Sequence, residues 1–250
     1  MSKAAWYIGC SQDDVGDSAI LIGDPARIGR IANHLNNAKL LEEKRGLRTV
    51  TGERKGRRIT ATAFGMGAPI ATIVLHELFD LGVRTFLRIG TAQTFAPAKL
   101  ADFVLAEGAL RAEGTSATYV PVNYPAVADF ELGAAVRARL AQSKHRWHSG
   151  IFGTYDGFYS QMFGLSEGER KMIDPLRHDI KRYKILATDM ETSALLTVGR
   201  ILGARACTLC MGTVDGWTQE YLPQTEQSKL EPEMFEIALD SLASLPPAGR

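Results

Sequence analysis

The stretch Ala19-Ile-Leu-Ile-Gly-Asp-Pro-Ala-Arg-Ile-Gly-Arg-Ile-Ala-Asn-His-Leu35 decides the fold class. Its first four residues, Ala19–Ile22, are apolar and stop at Gly23-Asp24-Pro25, so they read as a short buried strand ending in a turn. From Pro25 to Leu35 the period changes, with Ile28, Ile31 and Leu35 at helical spacing. A strand feeding an amphipathic helix is the repeating unit of α/β domains. The alternation continues along the chain. Strands are expected over Arg58–Ala63, Thr85–Ile89, Phe103–Ala106, Ile185–Thr188 and Ala206–Met211. Helices are expected over Pro69–Leu81, Ala128–Gln142, Met190–Leu202 and Glu231–Leu245, with Pro69 where a first helical turn tolerates it. The charge-dense stretch from Gly164 to Lys184 reads as a mobile flap or surface excursion. No repeat or linker breaks the pattern, so one domain is expected over residues 1–250.

Composition narrows the function classes. Apolar residues are 45% and charged residues 23%, which argues against disorder. Lys plus Arg number 29 against 28 Asp plus Glu, a net charge of +1, so nothing supports a nucleic-acid binder acting through bulk charge. Cys207 and Cys210 form a C-x-x-C, but they lie in the apolar run Cys-Thr-Leu-Cys-Met-Gly-Thr-Val. A redox or zinc role would want a loop and further ligands, so the pair reads as part of a buried strand. No apolar stretch approaches about 18 residues, and the first ten lack a signal-peptide core. A soluble, cytoplasmic protein with no membrane partner is the expectation.

In open α/β sheets ligands collect beyond the carboxyl ends of the strands. Four polar groups sit there. Gly23-Asp24-Pro25-Ala26-Arg27 offers close backbone approach, a helix start and a guanidinium for an anion, although Gly-Asp-Pro is also a common turn. Arg88 lies inside the apolar run Thr-Phe-Leu-Arg-Ile-Gly, so it must pair with a core carboxylate or meet an anionic ligand. Glu191 follows Thr188 at capping-box spacing, which opens a helix without any ligand. Asp215 ends the run Cys207–Val214 and is equally suited to a turn.

The order and spacing of these groups resemble the nucleoside phosphorylases of the uridine phosphorylase and hexameric purine nucleoside phosphorylase type. The likeness runs from about Trp6 to Gln219 and is carried by GDPARI, KRGLRTVTGERKGRRITATAFGMGAP, ELFDLGVRTFLRIGT, PVNYPAVADFE, YDGFY and DMETSALL. It implies a single α/β domain with a central mixed sheet flanked by helices. It also implies homo-oligomers built from dimers, up to hexamers, that share residues across the active-site boundary. By the resemblance Gly23, Arg27, Arg88 and Thr91 bind phosphate, and Arg45 reaches the neighbouring subunit's phosphate site. Met190 and Glu191 bind ribose, and Phe158 packs on the base. The implied reaction uses no metal and no cofactor; inorganic phosphate is a co-substrate that attacks C1′ of a nucleoside.

Departures fall at the base. The Gln-x-Arg pair with which uridine phosphorylases read uracil is missing after Phe158-Tyr159, and Gln161 stands one residue early. Asp215 resembles the acid that purine enzymes use to protonate N7, which needs a pKa raised by burial. Gln93 replaces a family Gly and places an amide near the base pocket. Tyr7 replaces the histidine that crosses to the neighbour's ribose. Asp215 with the missing pair tilts the expectation to purine nucleosides, with uridine as the alternative. A nucleoside hydrolase is opposed by Arg27, Arg45 and Arg88. A non-catalytic nucleoside-binding protein is opposed by those arginines together with Glu191.

Overall fold

The computed structural model describes residues 2–247, so Met1 and residues 248–250 at the ends of the expected domain lie outside it. In chain order the elements are β1 (Ser18–Ile22), α1 (Ala26–Ala32), β2 (Asn36–Leu40), β3 (Thr49–Arg54), β4 (Arg57–Ala63), α2 (Ala68–Asp80), β5 (Thr85–Thr94) and β6 (Phe103–Ala112). Then follow β7 (Ala126–Val127), α3 (Phe130–Leu140), β8 (Trp147–Tyr155), α4 (Glu167–Arg182), β9 (Ala187–Asp189), α5 (Thr192–Ile201), β10 (Arg205–Asp215) and α6 (Gln224–Ser244).

All ten strands belong to one mixed sheet. β1 lies between β4 and β5 and runs parallel to both. β5 runs parallel to β10, β10 antiparallel to β6, β6 parallel to β8, and β8 parallel to β9. β9 then returns to β5, closing a five-stranded barrel from which β1, β4, β3 and β2 extend.

Alternation along the strands divides the core between the two faces. Ile20 and Ile22 of β1, with Leu87 and Ile89 of β5, pack with Ile28, Ile31, Val136 and Phe235 from α1, α3 and α6. Ala19, Leu21 and Phe86 pack on the other side with Val74, Leu75 and Val198 from α2 and α5. Each fully buried aliphatic or aromatic side chain stabilises the fold by about 1.5–3 kcal/mol before entropy is counted. Arg88, two residues beyond Phe86, is carried on the α2–α5 side.

The expected strands and helices are present, with shifted ends. β5, β6 and β10 run further than their apolar cores, and α6 starts at Gln224, well before Glu231. β2, β3, β7 and β8 were not expected, because Asn-Asn-Ala-Lys-Leu and Trp-His-Ser-Gly-Ile-Phe-Gly-Thr-Tyr have no apolar run of their own. Pairing with neighbours makes them strands. The stretch from Gly164 to Lys184 is not an irregular excursion. It holds α4, opened by a capping box between Ser166 and Glu169 and anchored by buried Ile173 and Ile180. Cys207 and Cys210 are free, buried and in different core clusters. Burial pushes both thiols up to about 12, so they stay protonated.

Candidate active site

A cavity of about 510 Å³ lies at the carboxyl ends of β1, β5, β9 and β10. One wall is Gly23, Asp24, Pro25 and Arg27 after β1, with Gly65 and Met66 after β4. Arg88, Gly90, Thr91, Ala92 and Gln93 of β5 form the floor, and Thr188, Asp189, Met190 and Glu191 face them. Phe158, Met162, Thr213 and Val214 close one end; Gln224 and Gln227 of α6 complete the lining.

Arg88 is the centre of this arrangement. It is 5% exposed, and its Nη1 donates to Cys210 Sγ at 2.8 Å. Its Nη2 donates to Glu191 Oε2 and lies 3.2 Å from Asp189 Oδ2. Its Nε–H is buried with no partner among the described residues. Gly90 makes room for it: a Cβ there would sit 2.8 Å from Arg88 Nη1. Glu191 is held from the other side by the Gly67 N–H, which donates to Oε1 at 2.7 Å. Gly67 has φ +98, a conformation that side chains other than glycine's rarely adopt. Burial pushes the Glu191 carboxyl above the usual carboxylate range, against the pull of Arg88.

The capping box expected from Thr188 to Glu191 does not form. Thr188 Oγ1 donates to Gln93 Oε1 at 3.0 Å, and the Glu191 side chain makes no cap bond. Asp189 does that work, accepting from Thr192 N at 3.2 Å and from Thr192 Oγ1 at 2.6 Å. Glu191 is thereby left to face the cavity.

Arg27 is buried and lines the cavity, positioned by an acid that sequence reading missed. Its Nε donates to Glu231 Oε1 at 2.7 Å, and Arg30 Nε donates to Oε2 at 2.8 Å. The terminal nitrogens of Arg27 make no hydrogen bond to any described residue. Glu231 lies 204 residues away in sequence, and no spacing rule links the two. Replacing it with Gln should leave the Arg27 guanidinium without its buried counter-charge and lower stability by about 3 kcal/mol, and the phosphate role that the resemblance implies for Arg27 predicts a higher phosphate KM as well. Thermal unfolding and phosphate-dependent kinetics check this together. The N–H groups expected to be free at the start of α1 are already engaged: Ala26 N donates to Asp24 Oδ1 at 2.8 Å, and Arg27 N to Asp24 O at 3.1 Å.

Phe158, Gln93, Thr91 and Met190 line the cavity as expected. Phe158 opens a π-helical turn, Phe158–Met162, and stacks on Phe163 at 5.7 Å. Gln161 and Asp215 do not line the cavity. Gln161 Oε1 turns back to accept from Gly157 N at 2.8 Å. Asp215 Oδ1 accepts from Trp217 N and Thr218 N, both at 2.8 Å, the turn-forming role that its position also allows. Arg45 and Tyr7 lie outside the cavity as well. The Arg45 guanidinium sits 4.8 Å from the centroid of the Tyr7 ring, and Trp6 stacks on Tyr7 while 82% exposed. Glu77 of α2 pins this segment by accepting from the N–H groups of Trp6, Tyr7 and Ile8.

Comparison with known proteins places the chain in a family. The sequence profile of the phosphorylase superfamily matches residues 17–238. A uridine phosphorylase of Thermococcus kodakarensis is 33% identical over 219 residues, 86% of this chain and 79% of that protein. A guanosine phosphorylase of Halorubrum lacusprofundi is 33% identical over 206 residues, 82% of this chain and 80% of that one. The crystal structure of uridine phosphorylase from Vibrio fischeri superposes with a TM-score of 0.84 at 30% identity, covering 98% of this chain and 99% of that one. From β1 well into α6, then, the chain belongs to the phosphorylase superfamily, within which it is a nucleoside phosphorylase and thus a pentosyltransferase.

Proposed function

We propose that this chain cleaves uridine with inorganic phosphate to give uracil and ribose 1-phosphate. The observation that carries the reading is the buried Arg88–Glu191 pair on the cavity floor. A phosphate held by Arg88, Arg27, Gly23 and Thr91 lies close to a ribose whose hydroxyls Glu191 accepts, with Met190 beside the sugar. A phosphate oxygen bonds to C1′ while the C1′–N1 bond breaks and its electron pair leaves with the base. The sugar passes through a cationic state that the phosphate charge stabilises. Fixing the nucleophile in line contributes several kcal/mol.

Uridine is preferred over a purine because Asp215, the residue that favoured a purine, is occupied in a turn outside the cavity. The names of the Thermococcus and Vibrio relatives support this, although the Halorubrum relative is named for guanosine. The test compares uridine with inosine at saturating phosphate. Cleavage of uridine with little of inosine is the expected result; the reverse sinks the uridine reading and returns attention to Asp215.

The site is proposed to be shared in a homo-oligomer built from dimers. Arg45 and Tyr7 sit together at the surface and outside their own cavity, as groups serving a neighbour's pocket would. Mixing Arg45→Ala with Arg88→Ala protein under subunit exchange should restore part of the activity, because the lesions then fall in different pockets. No recovery despite demonstrated exchange counts against sharing. No helix among the described residues is long and apolar enough to cross a membrane. Three free cysteines fit a reducing cytoplasm.

A further inference from the structure

A leaving uracil presents two carbonyl oxygens that accept hydrogen bonds and an N3–H that donates one. Negative charge spreads onto those oxygens as the bond to N1 breaks. Recognition therefore needs donors for both carbonyls and one acceptor. Gln93 is largely engaged already, its Nε2 donating to Met162 O and its Oε1 accepting from Thr188 Oγ1, each at 3.0 Å. Gln161 and Asp215 are turned to their own backbones.

Two side chains that sequence reading did not single out carry the missing groups. Among the described residues, Nε and Nη2 of Arg177 and both amide atoms of Gln219 are buried without a hydrogen-bond partner. An unpaired buried donor costs about 1–3 kcal/mol, and a charged one more, so such groups need a reason. Arg177 lies on the inward stripe of α4 between buried Ile173 and Ile180. Its only ion-pair contact among the described residues is a long one, Nη1 to Asp174 Oδ1 at 3.5 Å. α4 packs against the Phe158–Met162 turn. Gln219 is 6% exposed and stands in the return after β10 that brings Leu222 N to Thr213 O at 2.7 Å.

Both segments back the same end of the cavity. Gln93 touches Met162 through its side chain and pairs with Val214 in the sheet, so the two walls meet at that residue. The segments also share Phe95, which packs with Ile180 and meets the Trp217 ring edge-on at 5.2 Å.

We propose that Arg177 and Gln219 together read the imide edge of the base, an inference that rests on the uridine reading above. Gln219 Oε1 accepts from N3–H and its Nε2 donates to one carbonyl. Arg177 donates to the other and holds the charge that develops on it, an interaction strongest in the transition state. They supply from two distant segments the guanidinium and amide that are missing after Phe158. Neither lines the cavity directly, so the Phe158–Met162 turn is the element that yields to admit the base. It is π-helical, a form that recurs at functional sites.

The experiment measures KM for uridine and for phosphate, with thermal unfolding, in wild type, Arg177→Met and Gln219→Leu. Activity on 3-methyluridine, which lacks the N3–H, is measured alongside. Each variant is expected to raise the uridine KM about tenfold or more, with the phosphate KM unchanged and melting temperature unchanged or higher, since apolar replacements remove orphaned polar atoms. Wild type should reject 3-methyluridine, and Gln219→Leu should discriminate against it far less. If wild type cleaves uridine but both variants keep its KM, the inference is overturned while the uridine reading stands. A change in only one variant overturns the pairing, and a wild type inactive on uridine overturns the substrate reading itself.

Discussion

Arg88→Ala is expected to lower phosphorolysis by about a thousandfold, the scale seen when a charge-stabilising donor is removed from an active site. The guanidinium does two jobs here. In the proposed site it offers a buried cation to phosphate, and it separates the carboxylates of Asp189 and Glu191, both of which it contacts. Removing it leaves those acids facing each other in a buried site, so Arg88→Ala should also unfold at a lower temperature. Arg88→Lys separates the two jobs. It keeps the positive charge but loses the fork that reaches Glu191 and Cys210 at once. We expect Arg88→Lys to recover most of the stability and little of the activity. Steady-state kinetics across a phosphate series, beside a thermal scan, distinguish these effects. An Arg88→Ala protein with wild-type phosphate dependence contradicts the assignment.

Glu191→Gln should show the second largest loss in rate, with a smaller loss of stability than Arg88→Ala. Its carboxylate caps no helix and Asp189 remains as a counter-charge to Arg88, while the amide removes the charge proposed to hold the ribose hydroxyls and weakens the bonds from Arg88 and the Gly67 N–H. Hydrogen bonds to those hydroxyls strengthen as the sugar becomes cationic, so kcat should fall more than KM rises. Asp189→Ala should weigh more on stability, because it removes the bonds from Thr192 at the start of α5 and from Thr154 Oγ1 as well as the contact with Arg88; the lost helix cap alone costs about 1 kcal/mol. The pH profile adds a further check. Glu191 acts as an acceptor when ionised, and burial raises its pKa against the opposing pull of Arg88. Activity should therefore fall with decreasing pH above the ordinary carboxylate range, and the residual activity of Glu191→Gln should lack that acid limb.

The fold was legible where a strand announces itself by its own apolar run, as in Ala19–Ile22 and Ala206–Met211. It was illegible where neighbours impose the strand, as in β3 and β8, whose residues alternate with glycine and polar groups. The site divides in the same way. Arg88 stands out because a charge inside an apolar strand must have a partner. Glu231, which holds Arg27, lies in an ordinary helical pattern and becomes meaningful only when α6 folds back over α1. Asp215 was ambiguous for the opposite reason: an acid at a strand end suits both a turn and a proton donor, and its place in the sequence does not show that Oδ1 accepts from Trp217 N and Thr218 N. Arg177 was hidden in a charge-dense stretch that reads as surface until α4 turns it inward.

The central claim is that phosphate, held by Arg27 and Arg88, is the nucleophile at C1′. It is tested most directly by identifying the sugar product from uridine with and without inorganic phosphate. The account predicts uracil with ribose 1-phosphate when phosphate is present, and no turnover when it is absent. Release of uracil with free ribose in phosphate-free buffer would contradict it, because water would then be the nucleophile.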